Sequence, residues 1–167
     1  MKSILTLFAL TFIINAPILN SNEFKVDKIS YQTNFGYYEN YGSNESGSST
    51  NFDVHLMSVE KDMMDKKFDY VLLDINSLDG EKISSGVYNF SNSKNKDFKA
   101  LTFNSASVLI DYDANNHSGT VFFAVNGKVE VKKKKGKYTL KYELLLEDNT
   151  KVTGYYEGPL TAWDQGI

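Results

Sequence analysis

After Asn22 the chain carries no sustained apolar repeat of helical period, and that absence decides its fold class. Apolar residues recur instead at every second position, in short runs cut by Gly, Asn, Asp, Ser and Lys. Side chains alternate across a strand, so a period of two marks a strand with one buried face. Phe52, Val54 and Leu56 alternate with Asp53, His55 and Met57, and Tyr138, Leu140, Tyr142 and Leu144 alternate with Thr139, Lys141 and Glu143. Further strand-like runs fall at 24–31, 35–38, 68–75, 83–90, 98–103, 108–112, 119–125, 128–131 and 152–156. The best helical stretch, 59–66, is short and charged and reads as a connection between strands. Asn126-Gly127 predicts a two-residue hairpin, because both central positions of such a turn take positive φ. Asp79-Gly80, 132–136 and Asp148-Asn149 predict further turns. Parallel pairing needs crossovers of about a dozen residues or more, and none is evident. The expectation is an all-β domain, an antiparallel β-sandwich or flattened barrel of about nine to ten strands, with the sandwich favoured.

The N-terminus has a different character. Met1-Lys2-Ser3 carries a positive charge, Ile4 to Ile14 runs without any, and Asn15, Ala16 and Pro17 end the apolar run. That order is the pattern of a secretory signal. It predicts a signal peptide at 1–21, a single antiparallel β-domain at 22–167, and a protein exported to the periplasm or secreted. The run is shorter than the roughly 18 apolar residues of a spanning helix, so no stable membrane span is expected. The chain has no cysteine. Thiol catalysis, thiolate metal sites and a lipid-anchor cysteine are thereby excluded. All 18 basic residues are lysine and the net charge is −3. Forked guanidinium recognition of phosphate is absent, and nucleic acid is not an expected partner.

Several motifs recur in a familiar order: Tyr37-Tyr38-Glu39-Asn40-Tyr41-Gly42, Asn51-Phe52-Asp53-Val54-His55-Leu56, Ser85-Gly86-Val87-Tyr88, Gly119-Thr120-Val121, and the closing Thr153-Gly154-Tyr155-Tyr156-Glu157-Gly158-Pro159-Leu160. Together they resemble uncharacterised secreted or lipid-anchored β-domain proteins of Bacteroidota, over most of the mature chain. The resemblance implies an exported β-domain and carries no chemistry. Members are typically lipoproteins, and this chain departs from them in lacking the cysteine that would carry the lipid.

Tyr31, Phe35, Tyr37, Tyr38 and Tyr41 crowd one short stretch. Aromatic faces beside polar side chains suit stacking against sugar rings, so Tyr37, Tyr38 and Tyr41 are the candidate ligand-binding residues. The plainer reading turns Phe35 and Tyr37 into the core and lets Tyr38 and Tyr41 cover an edge. Between Lys128 and Lys141 seven lysines face one glutamate. Lys132, Lys133, Lys134 and Lys135 at its centre are candidates for contact with an anionic partner, or form a solvated turn that discourages edge-to-edge pairing. Asp111, Asp113 and Asn115 alternate as calcium ligands do, but the glycine and the closing glutamate of a calcium loop are missing. No nucleophile elbow appears, and carboxylate pairs such as Asp69/Asp74 or Glu143/Glu147 are not set apart from surface charge. The expectation is a non-enzymatic binding module without cofactor, recognising a glycan or a protein outside the cytoplasm. A lipocalin-like carrier of a small apolar ligand and a hydrolase with an unrecognised site are the alternatives.

Overall fold

The computed structural model describes residues 21–43, 49–78, 80–92 and 99–163. The expected signal segment, except Ser21, lies outside the described residues. The strands are β1 (Glu23–Val26), β2 (Ile29–Gln32), β3 (Phe35–Ser43), β4 (Thr50–Met57), β5 (Phe68–Ser77), β6 (Gly86–Phe90), β7 (Thr102–Asp113), β8 (Ser118–Lys134), β9 (Lys137–Leu146), β10 (Lys151–Gly158) and β11 (Thr161–Ala162). The charged stretch between β4 and β5 holds one 3₁₀ turn, Lys61–Met63. Among the described residues no helix is long and apolar enough to cross a membrane.

All the strands belong to one sheet, ordered β11-β3-β4-β5-β7-β6-β8-β9-β10-β1-β2 and curled into a half-barrel. The expected two-layer sandwich does not form, and β8 is the reason. This 17-residue strand pairs with β7 through its first part, with β6 through its second, and with β9 from Ala124 onward. Sequence segments that would make two sheets are stitched into one. Strand twist then curls so wide a sheet, and its concave face closes on its own side chains without a second layer.

The sheet is mixed where a purely antiparallel one was expected. β6 and β7 share a short parallel ladder, Asn89↔Thr102 and Phe90↔Phe103. β11 runs parallel to β3, Thr161↔Tyr37 and Ala162↔Tyr38. Both are brief contacts made where the chain returns from an excursion, so no helical crossover is needed. Among the described residues the strands number 11, above the expected nine to ten. The run at 24–31 is broken by Asp27, with φ 54°, into the β1–β2 hairpin, and β11 adds a further short strand, while Thr102 and Phe103, the end of one expected run, join the run at 108–112 in β7.

Asn126-Gly127 makes no hairpin. It lies inside β8, where the ladder to β9 skips a position between Ala124 and Asn126. Gly127 takes φ +151°, and a Cβ there would collide with the Glu143 carbonyl oxygen and sit 3.1 Å from Leu144 Cα. The bulge thus falls at Val125, and the glycine beside it allows the close approach to β9 as the strand continues without reversing. The reversal comes at Lys135-Gly136, with φ 51° and 79°, between β8 and β9.

The core lines the concave face. Phe52, Val54 and Leu56 of β4, Val71, Leu73 and Ile75 of β5, and Leu140 and Leu146 of β9 are fully buried, each worth about 1.5–3 kcal/mol relative to exposure. Gly36 of β3 lets the Tyr156 ring of β10 come within 2.5 Å of where a Cβ would stand, so strands from opposite flanks of the sheet meet. The opposite, outer face follows from register, because directly opposed residues point to the same side. One outer row runs Tyr37, His55, Leu72, Ser107, Phe123; the next runs Glu39, Asp53, Asp74, Ser105.

Candidate functional site

These two outer rows place aromatic rings beside carboxylates. Tyr37, Glu39 and Tyr41 come from β3, Asp53 and His55 from β4, Tyr70 and Asp74 from β5. Tyr37 and Glu39 share a side by strand alternation. Tyr41 continues that alternation and is left unpaired where the β3–β4 ladder slips between Asn40 and Gly42. Its hydroxyl donates to the Glu39 carboxylate and, at 3.2 Å, to Asp53 Oδ2. The ring itself is 60% exposed.

Trp163 arrives from the far end of the chain. Its N–H donates to the Tyr38 carbonyl at 2.8 Å, continuing the β11–β3 pairing. The indole stacks on the His55 imidazole at 4.6 Å between centroids and meets Tyr37 edge-on at 5.3 Å. Beneath it His55 is only 7% exposed. Its Nδ1 is hydrogen-bonded to the Tyr70 hydroxyl at 2.6 Å, while its Nε2 is buried with no hydrogen-bond partner. The Tyr37 hydroxyl accepts the Lys61 N–H at 3.2 Å, so the 3₁₀ turn borders the site.

The electrostatics follow from burial and crowding. Burial pushes the Asp53 carboxyl up to about 6, with Asp74 and Glu39 raising it further and only the Tyr41 hydrogen bond opposing. Burial also raises Asp74, against hydrogen bonds from Asn51 and Ser105. His55 is held down to about 4 by burial, so its imidazole is neutral at physiological pH. Tyr41 and Tyr70 are raised out of reach of ordinary pH, Tyr41 first by its bond to Glu39 and Tyr70 first by burial.

The three sequence-predicted tyrosines are not one surface. Tyr37 and Tyr41 stand on the outer face, whereas Tyr38 points the other way, its ring 6.2 Å from Phe52 and packed on the core. The plainer reading had this parity reversed as well, since Tyr37 faces outward. Lys132 to Lys135 are exposed on the β8–β9 hairpin, far along β8 from the aromatic rows. Lys132 pairs with Glu130 at 2.7 Å and Lys133 lies over the Tyr138 ring at 4.8 Å. Asp111, Asp113 and Asn115 are otherwise engaged. Asp111 pairs with Lys67 at 2.8 Å, Asp113 accepts the N–H groups of Asn115 and Asn116, and Asn115 Nδ2 donates to the Asp65 carbonyl at 3.3 Å.

Glu39, Asp53, His55, Tyr70 and Trp163 were not singled out as a group by sequence reasoning. The signal for two of them was the alternation of Asp53 and His55 against Phe52, Val54 and Leu56, read only for its apolar half. Elsewhere, an open groove of about 410 Å³ lies at the Gly127 bend, lined in part by Lys128, Glu143 and Lys151. Comparison with known proteins found no matching family model, no similar curated protein and no similar solved structure. These comparisons lend no support to the expected resemblance to β-domains of Bacteroidota.

Proposed function

We propose that the protein is an exported, non-enzymatic binding module whose outer sheet face recognises a glycan through Tyr37, Tyr41 and Trp163. The observation that carries this reading is the exposed Tyr41 ring beside the Glu39 and Asp53 carboxylates, with the Trp163 indole on the neighbouring row. An aromatic face takes the apolar side of a pyranose, and adjacent carboxylates accept its hydroxyls. Export is supported by the charged, apolar, then small-and-polar order of the first 21 residues. The carrier alternative draws no support from an interior filled by Phe24, Phe52, Phe103, Tyr88, Tyr142 and Tyr156.

The test is a screen of the purified protein on a glycan array, followed by titration calorimetry with the best binder. Tyr41→Ala is expected to weaken binding about tenfold or more, at an unchanged melting temperature. Equal binding by the variant removes this face from the reading.

A second reading has its own observation. Glu39 and Asp53 form a close carboxyl pair, one member raised to about 6, as a glycosidase needs for an acid and a partner carboxylate. Release of reducing sugar from the array's best glycan, abolished by Glu39→Gln, would replace the binding reading with this one.

A further inference from the structure

We propose that Glu39, Asp53 and His55 bind a divalent transition-metal ion of the zinc class. One ligand-capable atom from each residue lies within 4.8 Å of those of the other two. The three come from adjacent positions on β3 and β4, so the sheet register, not a flexible loop, sets their spacing.

The independent observation is the orphan nitrogen of His55. A buried polar atom left without a partner costs about 1–3 kcal/mol, and folded proteins keep few of them. Here the ring is 7% exposed, Nδ1 is occupied by Tyr70, and Nε2 has nothing. In the tautomer whose Nδ1–H donates to the Tyr70 oxygen, the bare lone pair falls on Nε2. That is the arrangement of a metal-ligating histidine, one nitrogen oriented by an outer hydrogen bond and the other on the ion.

Charge points the same way. Glu39 and Asp53 are directly opposed across β3 and β4, and Asp74 stands next in the same row. Opposed like charges destabilise a sheet. A dication between the carboxylates turns that repulsion into attraction. The Tyr41 hydroxyl stands within hydrogen-bonding reach of both.

The ligand set selects the ion. Calcium and magnesium take six or more oxygens, whereas one imidazole and two carboxylates match an open zinc site with a position left for water or a ligand atom. Tetrahedral zinc ligands stand roughly 3.3–3.5 Å apart, so the three ligand atoms, now within 4.8 Å of one another, draw together around the ion. The site stands whether or not this face binds a glycan.

The experiment uses protein expressed from the full-length chain, purified, stripped with a chelator and titrated with zinc chloride alone. One ion per chain is expected, with a dissociation constant of about 10 µM or tighter. Glu39→Gln and Asp53→Asn are each expected to weaken it about tenfold or more while melting as the parent does. Because His55→Gln leaves a hole beneath Trp163 and so puts the fold itself at stake, the histidine is read in the parent protein, by a zinc-dependent shift of its ring-nitrogen NMR signals. No saturable uptake at about 100 µM zinc, uptake untouched by both carboxylate variants, or displacement by equimolar calcium overturns the proposal.

Discussion

The Trp163 indole lies stacked on the His55 imidazole, with centroids 4.6 Å apart and planes 26° from parallel. A residue from the end of the described chain thus roofs a side chain in the middle of the sheet. Trp163→Ala opens that roof. Burial is the leading cause of the depression of His55 to about 4, so the variant's imidazole is expected to titrate nearer 6.5. Proton NMR of the histidine ring checks it. An unmoved midpoint assigns the burial to Tyr70 and the strand neighbours instead.

Tyr41→Phe keeps the ring and deletes the hydroxyl. The Tyr41 hydrogen bond is the one influence that lowers Asp53, while burial, Asp74 and Glu39 all raise it. Its removal is therefore expected to lift the Asp53 midpoint above about 6, as read by carboxyl-carbon NMR. Stability should change by about 0.5 kcal/mol or less, because the group is at the surface.

Gly127→Ala tests the bend in β8. The new methyl would meet the Glu143 carbonyl oxygen, and φ +151° is foreign to an L side chain. A loss of about 2–4 kcal/mol in urea unfolding is expected, since backbone strain and a backbone clash both contribute. An effect below about 0.5 kcal/mol means the bulge relaxes into a regular ladder.

Asp113 gives a pH prediction. The Asn116 side chain and the N–H groups of Asn115 and Asn116 bond its carboxylate and hold it below the ordinary carboxylate range. A depressed acid contributes stability above its unfolded pKa and loses it as pH falls through the folded one. The Asn115 and Asn116 amide signals are thus expected to move on acidification, with a midpoint below about 3.9. A midpoint at or above that value shows that the turn does not depend on the charge.

Much of the fold is written in local pattern. The alternation at Phe52, Val54 and Leu56 names a core face that is fully buried. Which strands become neighbours is not local. Nothing near Ser118 or Lys134 says that one strand will serve β6, β7 and β9 together, and so the sandwich was favoured over a curled sheet. Asn126-Gly127 carries the same residues whether the chain reverses or merely bulges. Only the ladder with β9 decides between them. The site divides in the same way. Asp53 and His55 were visible as the polar half of an alternating strand. Trp163 reaches them through the parallel β11–β3 contact, which spans almost the whole described chain and leaves no periodic trace.

That pairing has a counterpart at the other end. β1 lies against β10, Glu23 opposite Tyr155, while β11 lies against β3, Thr161 opposite Tyr37. Each terminal segment grips a strand contributed by the opposite end of the polypeptide, like two hands clasped at the wrists. Trimming either end accordingly removes half of a mutual hold, and the loss is felt where the other end was anchored. A disturbance at Trp163 is therefore felt at Tyr37 and His55, whereas one at Glu23 is felt at Tyr155 on the far flank of the sheet.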